Sequence, residues 1–509
     1  MNNSPAILRS LVTFAVIVPL AVFVGYLLSD PLDRSSFTYY GFLALILIFP
    51  IFLRWHHPLL VFCWNTSMVV YFLPGQPHLW LVMAAVSLGI TLLQRATGGV
   101  KHLISVPQVT WSLIFLTGVI LFTAKMTGMG LRSMGSETYG GKRYAYLLGA
   151  IMGYFALSGH RIPPEKARLY VGLFFLSGLT AIIGDFVSIT PGFLSFIYWF
   201  FPGNWYYTRE IEGLRLGGAM FGSAAVFSYM LAKYGIRGIF LSGKTWRWVV
   251  FFLTLIYSLF AGFRGQVILY ALIFVVQFYL EGLHRTKLLP IFGLIGISAA
   301  VLLVPLTPHL PYSFQRSLAF LPLNVNRSVR QTADDSWRWR VEMWKAVLPQ
   351  IPQHLLLGKG FALSSRDFDL LTGSDAAIRP GGDFAENQFL AVGGVYHNGQ
   401  LTVLLTFGLW GCIAMIWFWS ASMWVLYRNY RYGDPALRTV NMFLMVIFGL
   451  RIFIFAAIDT DMLYYCGWLG LGVSLNGGVC QPVPQPQATN KFQAFNDIRS
   501  HLRPTFRRH

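Results

Sequence analysis

The feature that most constrains this chain is an apolar stretch, close to bilayer length, that recurs along most of the sequence. A helix that crosses a membrane takes about 20 mostly apolar residues. Runs of this kind lie at 11–28, 37–53, 58–73, 78–94, 109–125, 144–159, 169–190, 216–232, 247–262, 265–281, 288–305, 398–427, 438–457 and 461–477, with 58–73 and 144–159 among the shortest. They predict an all-α polytopic integral membrane protein with about 12–14 transmembrane helices. Charged residues make up 12% of the chain, against about 25% in soluble domains. A soluble globule so poor in charge would expose large apolar patches, and that class is excluded. A disordered chain, a coiled coil and a secreted disulfide scaffold are excluded with it. The cysteines Cys63, Cys412, Cys466 and Cys480 are scattered, without the spacing of a zinc site or a disulfide framework. The run 11–28 has no small-x-small cleavage site behind it and is expected to be a retained first helix.

The net charge of +19 comes from 39 basic and 20 acidic residues. The basic residues stand in short clusters between apolar runs, with no basic helix or stacking platform. They point to anionic lipid headgroups and anionic substrates rather than nucleic acid. Cytoplasmic loops concentrate Lys and Arg. With the N-terminus inside, the inner junctions carry Arg54; Arg95 and Lys101; Arg161, Lys166 and Arg168; Lys233, Arg237, Lys244 and Arg247; Arg285 and Lys287; and Arg428 and Arg431. The short outer junctions are poorer, except 126–143, which holds Arg132, Lys142 and Arg143. Both termini then lie in the cytoplasm.

Segment 306–396 becomes one long outer loop, with nine basic residues and a patch of acids. Loops of that length usually have a functional reason. A smaller outer segment, 191–215, contains SFIYWFFPGNWYY and reads as an interfacial hairpin or half-helix. The expected division is 1–261, N-terminal transmembrane helices; 262–427, a core that includes loop 306–396; 428–477, C-terminal transmembrane helices; and 478–509, a basic cytoplasmic tail with a Pro/Gln-rich linker.

Three constellations could carry chemistry. Gly262-Phe263-Arg264-Gly265-Gln266 joins two apolar runs with almost no loop, which fixes Arg264 at the outer membrane face. An arginine there can snorkel to headgroups, or grip a lipid phosphate through its planar fork, and the flanking glycines permit close approach. Ser336-Trp337-Arg338-Trp339-Arg340 comes next and places Arg340 and Trp344 on one helix face. An interfacial Trp/Arg anchor explains the pattern, and so does a second prong facing Arg264. Tyr396-His397-Asn398 opens the third, where the long loop re-enters the membrane. His397 can take a proton near neutral pH, and Asn398 can cap the helix.

The acids Asp30, Asp33, Asp459 and Asp461 fit a divalent cation site or, more plainly, helix and turn caps. Asp383 and Glu386 lie shortly before His397. Arg451 falls inside an apolar run, where a charge is usually paired; Asp185 is a candidate partner.

In order, the chain reads Phe263-Arg264-Gly265, then Arg340-x-x-x-Trp344 with Gly358-Lys359-Gly360, then His397-Asn398-x-x-Leu401 with Gly408-x-x-Gly411. This order resembles the bacterial O-antigen ligase-like membrane protein superfamily, which includes O-antigen ligases, O-antigen polymerases and some protein O-oligosaccharyltransferases. Phe263 stands where that family commonly has Ser, and Thr406 where it often has Glu. The 14 runs also exceed the family's usual twelve helices.

The resemblance implies an inner-membrane glycosyltransferase with its active site facing the periplasm. Its donor would be a glycan on a polyprenyl diphosphate and its acceptor a hydroxyl of lipid A-core. It implies metal-independent, inverting transfer without a cofactor, with Arg264 and Arg340 on the diphosphate, Arg338 as helper and His397 as base. Tyr396, Asn398 and Asp383 would give support. Polymerization onto a second carrier, or glycosylation of protein, is compatible with the same motifs. A transporter would place its polar residues near the bilayer midplane, unlike these.

Overall fold

In a computed structural model, the described residues are 50–73, 75–97, 104, 106–130, 140–190, 192–203, 205–208, 213–362, 396–457 and 461–482, with isolated positions in the first apolar run. Two compact units divide the chain, Met1–Leu59 and Leu60–His509. The first is helical over 50–59.

The second unit is built from helices. They are α1 (Leu79–Ala96), α2 (Pro107–Thr127), α3 (Gly141–Ser158), α4 (Ala167–Leu176) and α5 (Ala181–Ser188). A two-stranded antiparallel hairpin follows, β1 (Trp205–Thr208) and β2 (Gly213–Leu216), pairing Trp205 with Leu216 and Thr208 with Gly213. Then come α6 (Gly217–Phe240), α7 (Thr245–Ser258), α8 (Arg264–Leu280) and α9 (Leu288–Leu306). The expected outer loop contains α10 (Tyr312–Leu318), α11 (Arg327–Val347) and α12 (Ile351–His354). The chain continues with α13 (Gly399–Tyr432), α14 (Arg438–Phe453) and α15 (Met462–Asn476).

Among the described residues, Leu79–Ala96, Pro107–Thr127, Pro164–Ser188, Leu288–His309, Gly399–Tyr432 and Pro435–Phe453 are long and apolar enough to cross a membrane. Thr245–Ala261 and Arg264–Leu280 are shorter apolar helices. The chain is an all-α polytopic membrane protein. Helix α9 makes the physics explicit, because it has no buried residue although it is almost wholly apolar. Water would not tolerate such a surface, and lipid does.

The core is closed by α3 against α1 and α15, α2 against α13, and α6 against α5, α7 and α14. Trp64, Tyr154, Phe174, Phe418 and Phe443 are among its fully buried side chains.

Two expectations are corrected. The run 58–73 is not one helix: the helix ends at 63 and Val69 bridges His78 in antiparallel fashion. The polar trio Asn65-Thr66-Ser67 ends it, with Thr66 Oγ1 donating to the Cys63 carbonyl at 2.9 Å and Asn65 Nδ2 to that of Phe174 at 2.7 Å. Nor do Asp185 and Arg451 pair. Asp185 accepts from the Ala219 backbone N–H at 3.1 Å and caps the start of α6. Arg451 lies over the Tyr464 ring at 5.0 Å. Segment 191–215 resolves into a 3₁₀ helix, Gly192–Trp199, and the β1–β2 hairpin.

Candidate active site

Helix α11 is the element that joins the three motifs. Its inner stripe runs Val329, Ala333, Ser336, Arg340, Met343, Val347, a spacing of four and three that keeps one helix face inward. Val329, Ala333, Met343 and Val347 are buried, and Arg340 is the one charge in the stripe. Arg264, the first residue of α8, donates from Nη2 to the Ala333 carbonyl at 3.3 Å. Arg340 follows Ala333 by two turns on the same face, about 10 Å along the axis. Arg316 and Arg340 act on Arg264 as like charges, and Asp334 acts as the opposing one.

The same helix reaches the third motif. The Trp339 ring meets the His397 imidazole edge to face at 5.5 Å. Trp344 Nε1 donates to the Tyr396 carbonyl at 2.8 Å. Met343, Val347, Tyr396 and Leu405 form a small apolar cluster flanked by Trp339, Trp344, Ile351 and Leu401.

His397 has φ +45°, a left-handed conformation uncommon for a residue with a side chain. Its neighbours hold it there. Tyr396 is tied to Trp344, while the Asn398 side chain accepts from Gln400 and Leu401 N–H groups at 3.1 Å each and caps α13. The imidazole is thereby aimed by two anchored residues.

Tyr396 is 1% exposed, and burial pushes its phenol up to about 12 while Arg143 pulls it the other way. It is a neutral O–H group at physiological pH.

The Gly358-Lys359-Gly360 turn has a backbone reason. Helix α13 breaks at Gly408, with φ +66° and ψ −161°. The break frees the Leu405 and Thr406 carbonyls and the Leu409 N–H, which cannot be left bare in a membrane protein. Lys359 N–H donates to Leu405 O at 2.7 Å, Gly360 N–H to Thr406 O at 3.0 Å, and Leu409 N–H to Leu355 O at 2.6 Å. A Cβ on Gly358 would sit 2.2 Å from Thr406 O, and one on Gly408 2.7 Å from Leu355 O. Gly358→Ala and Gly408→Ala are each expected to destabilise the protein by more than the ~1–3 kcal/mol of left-handed backbone strain alone. Thermal unfolding of the purified variants in detergent checks this; unchanged midpoints would remove the account of the turn.

The remaining predicted residues divide. Arg338 is not brought to Arg340: the two are about 200° apart around the helix, and the Arg338 side chain is 72% exposed, 4.0 Å from Asp335. Asp461 caps α15 by accepting from Leu463 N–H at 3.0 Å. Asp383, Glu386, Asp30, Asp33 and Asp459 lie outside the described residues. Among the described residues, no cluster of His, Cys, Asp and Glu is arranged to hold a metal ion.

Three arginines at this site were not singled out as site residues from the sequence. Arg215, on β2, is buried. Its Nε donates to the Ala261 carbonyl at 3.3 Å and its guanidinium lies 4.4 Å from the Phe263 ring centroid. Gly262 exists for this approach, since a Cβ there would meet Arg215 Nε at 2.8 Å. Gly265 has open space beside it. Arg143 lies over the Phe361 ring at 5.5 Å and acts on Tyr396, while Lys359 Nζ lies 6.0 Å from the Tyr396 ring centroid. Arg143 comes from junction 126–143, the exception to the charge bias. Arg316 is the third.

A protein-family model described as O-Antigen ligase matches residues 248–416. The match starts in α7, spans Arg264, α11 and His397, and ends within α13. No curated protein matches the chain.

Proposed function

We propose that this O-antigen ligase-like, multi-pass membrane protein transfers a glycan from a polyprenyl diphosphate carrier to an acceptor hydroxyl of lipid A-core, at the periplasmic face of the inner membrane. One observation carries the reading: α11 links Arg264 through Ala333, presents Arg340 on the same face and sets Trp339 against His397. The family match over 248–416 supports the glycosyl-transfer class.

The chemistry follows from charge. Breaking the bond between the anomeric carbon and the diphosphate oxygen moves an electron pair onto the leaving group. Fixed cations placed where that charge grows lower the barrier, and Arg264 and Arg340 are such cations. His397 accepts the proton of the attacking hydroxyl. In-line attack at the anomeric carbon forms the new glycosidic bond with inversion and releases polyprenyl diphosphate. Tyr396 and Asn398 hold His397 in position.

The test is incubation of the purified protein with a polyprenyl-diphosphate glycan and three acceptors: lipid A-core, a second carrier-linked glycan and a Ser/Thr peptide. Product mass then identifies the acceptor. Glycan on lipid A-core is expected. Elongation on the second carrier would assign a polymerase, and glycosylated peptide a protein-modifying enzyme. Guanidinium groups need no divalent ion, so EDTA is expected to leave the rate unchanged. Loss of transfer restored by magnesium or manganese would move the charge-neutralising role to a bound cation.

A further inference from the structure

We propose that Arg316 is a third cation of the carrier-binding site and that it reads the second phosphate group of the lipid diphosphate. The inference rests on the reading of this site as the donor site.

Helix α10 is docked at the corner where α7 passes into α8. Phe314 stands edge-on to Phe260 at 4.8 Å, and Ser317 Oγ donates to the Leu259 carbonyl at 3.1 Å. Gln315 is buried; its Nε2 donates to Leu310 O, and its Oε1 accepts from Asn326 N–H, both at 2.8 Å. The residues on either side of Arg316 are therefore fixed, while Arg316 itself is half-buried. Its Nη1 donates to Tyr312 Oη at 3.2 Å, so the guanidinium is oriented before any ligand arrives. Preorganised donors lose less entropy on binding.

Helix α10, which carries Arg316, packs against both α8, which begins with Arg264, and α11, which carries Arg340, and the Arg316 and Arg340 charges both act on Arg264. Asp334, the carboxylate acting on Arg264, is exposed. Such an arrangement favours a ligand with more charge than one phosphate. A phosphate monoester carries about −1.5 to −2 charge near neutral pH, which two guanidinium forks can match. A diphosphate offers further oxygens and charge to a third fork. Arg316 would thus let the site prefer the diphosphate carrier over a monophosphate carrier in the same membrane.

The full chain in detergent, titrated calorimetrically with farnesyl diphosphate and with farnesyl monophosphate, tests this. The wild type is expected to bind the diphosphate more tightly. Arg316→Gln, which keeps a donor for Tyr312, is expected to weaken diphosphate binding about tenfold and monophosphate binding by less than about twofold. Arg316→Ala should do the same, and the Gln variant decides if the Ala variant fails to fold. Equal losses for both probes, or no loss for the diphosphate, would overturn the inference. Arg264→Ala separates this from the underlying reading and should weaken both probes. If it does while Arg316→Gln changes nothing, only the role of Arg316 falls. If the wild type binds both probes equally, the role of Arg316 likewise falls alone; if Arg264→Ala leaves diphosphate binding intact, the donor-site reading falls as well.

Discussion

His397→Ala is expected to lower glycan transfer about 10²–10⁴-fold, the usual contribution of a positioned general base, with donor binding retained. The expectation comes from how the residue is held. Its backbone occupies a left-handed conformation, and the groups on either side are spent on anchoring: the Tyr396 carbonyl on Trp344, the Asn398 side chain on the start of α13. The imidazole and the Trp339 ring stand edge to face. Alanine adopts a positive φ poorly, so His397→Asn is the better control. Asparagine tolerates that backbone but is no base at neutral pH. Both variants should elute as folded protein on size exclusion, bind donor and fail in initial-rate transfer assays. Transfer by either variant near the wild-type rate would remove His397 as the base.

Arg264→Ala and Arg340→Ala are each expected to cost about 10²–10³ in rate, by analogy with the loss of one preorganised donor at a developing oxyanion. Each should also weaken binding of the donor diphosphate. The double variant is expected to lose less than the product of the two, because both groups act on one ligand. Lysine at either position should recover only part of the activity, since an ammonium supplies charge without the bidentate fork. Donor titration and initial rates, measured together, check this. Unchanged donor affinity in both single variants would remove the clamp.

Much of this site was legible in the sequence because each motif couples a residue type to a local spacing. Arg264 is fixed by the near-absence of a loop between two apolar runs, and Arg340 by its place four residues before Trp344. His397 is fixed by an Asn cap at the start of a long apolar helix. Local spacing also misleads: Arg338 neighbours Arg340 in the chain, but the helical turn points it elsewhere. Arg215 and Arg316 carried no local signal. They reach the α7–α8 corner through a β-hairpin and a short helix whose docking depends on residues far apart in the chain.

Arg143 left a trace as a basic residue in a junction that the charge bias assigns to the outer side. The structure gives the exception a reason by setting Arg143 over the Phe361 ring, where its charge acts on Tyr396. The helix break at Gly408 was visible only as one glycine of a Gly-x-x-Gly pair. Its consequence, a loop backbone that completes the hydrogen bonds of a broken helix, needed both segments in view. The apolar average over 58–73 hid the polar trio that ends the helix there.

The most direct measurement is a structure of the full chain in a lipid nanodisc with polyprenyl diphosphate bound. The diphosphate is expected between the guanidiniums of Arg264 and Arg340, with the His397 imidazole facing the space from which a hydroxyl would approach. A diphosphate seated elsewhere, or these three side chains opening to the cytoplasmic face, would contradict the account.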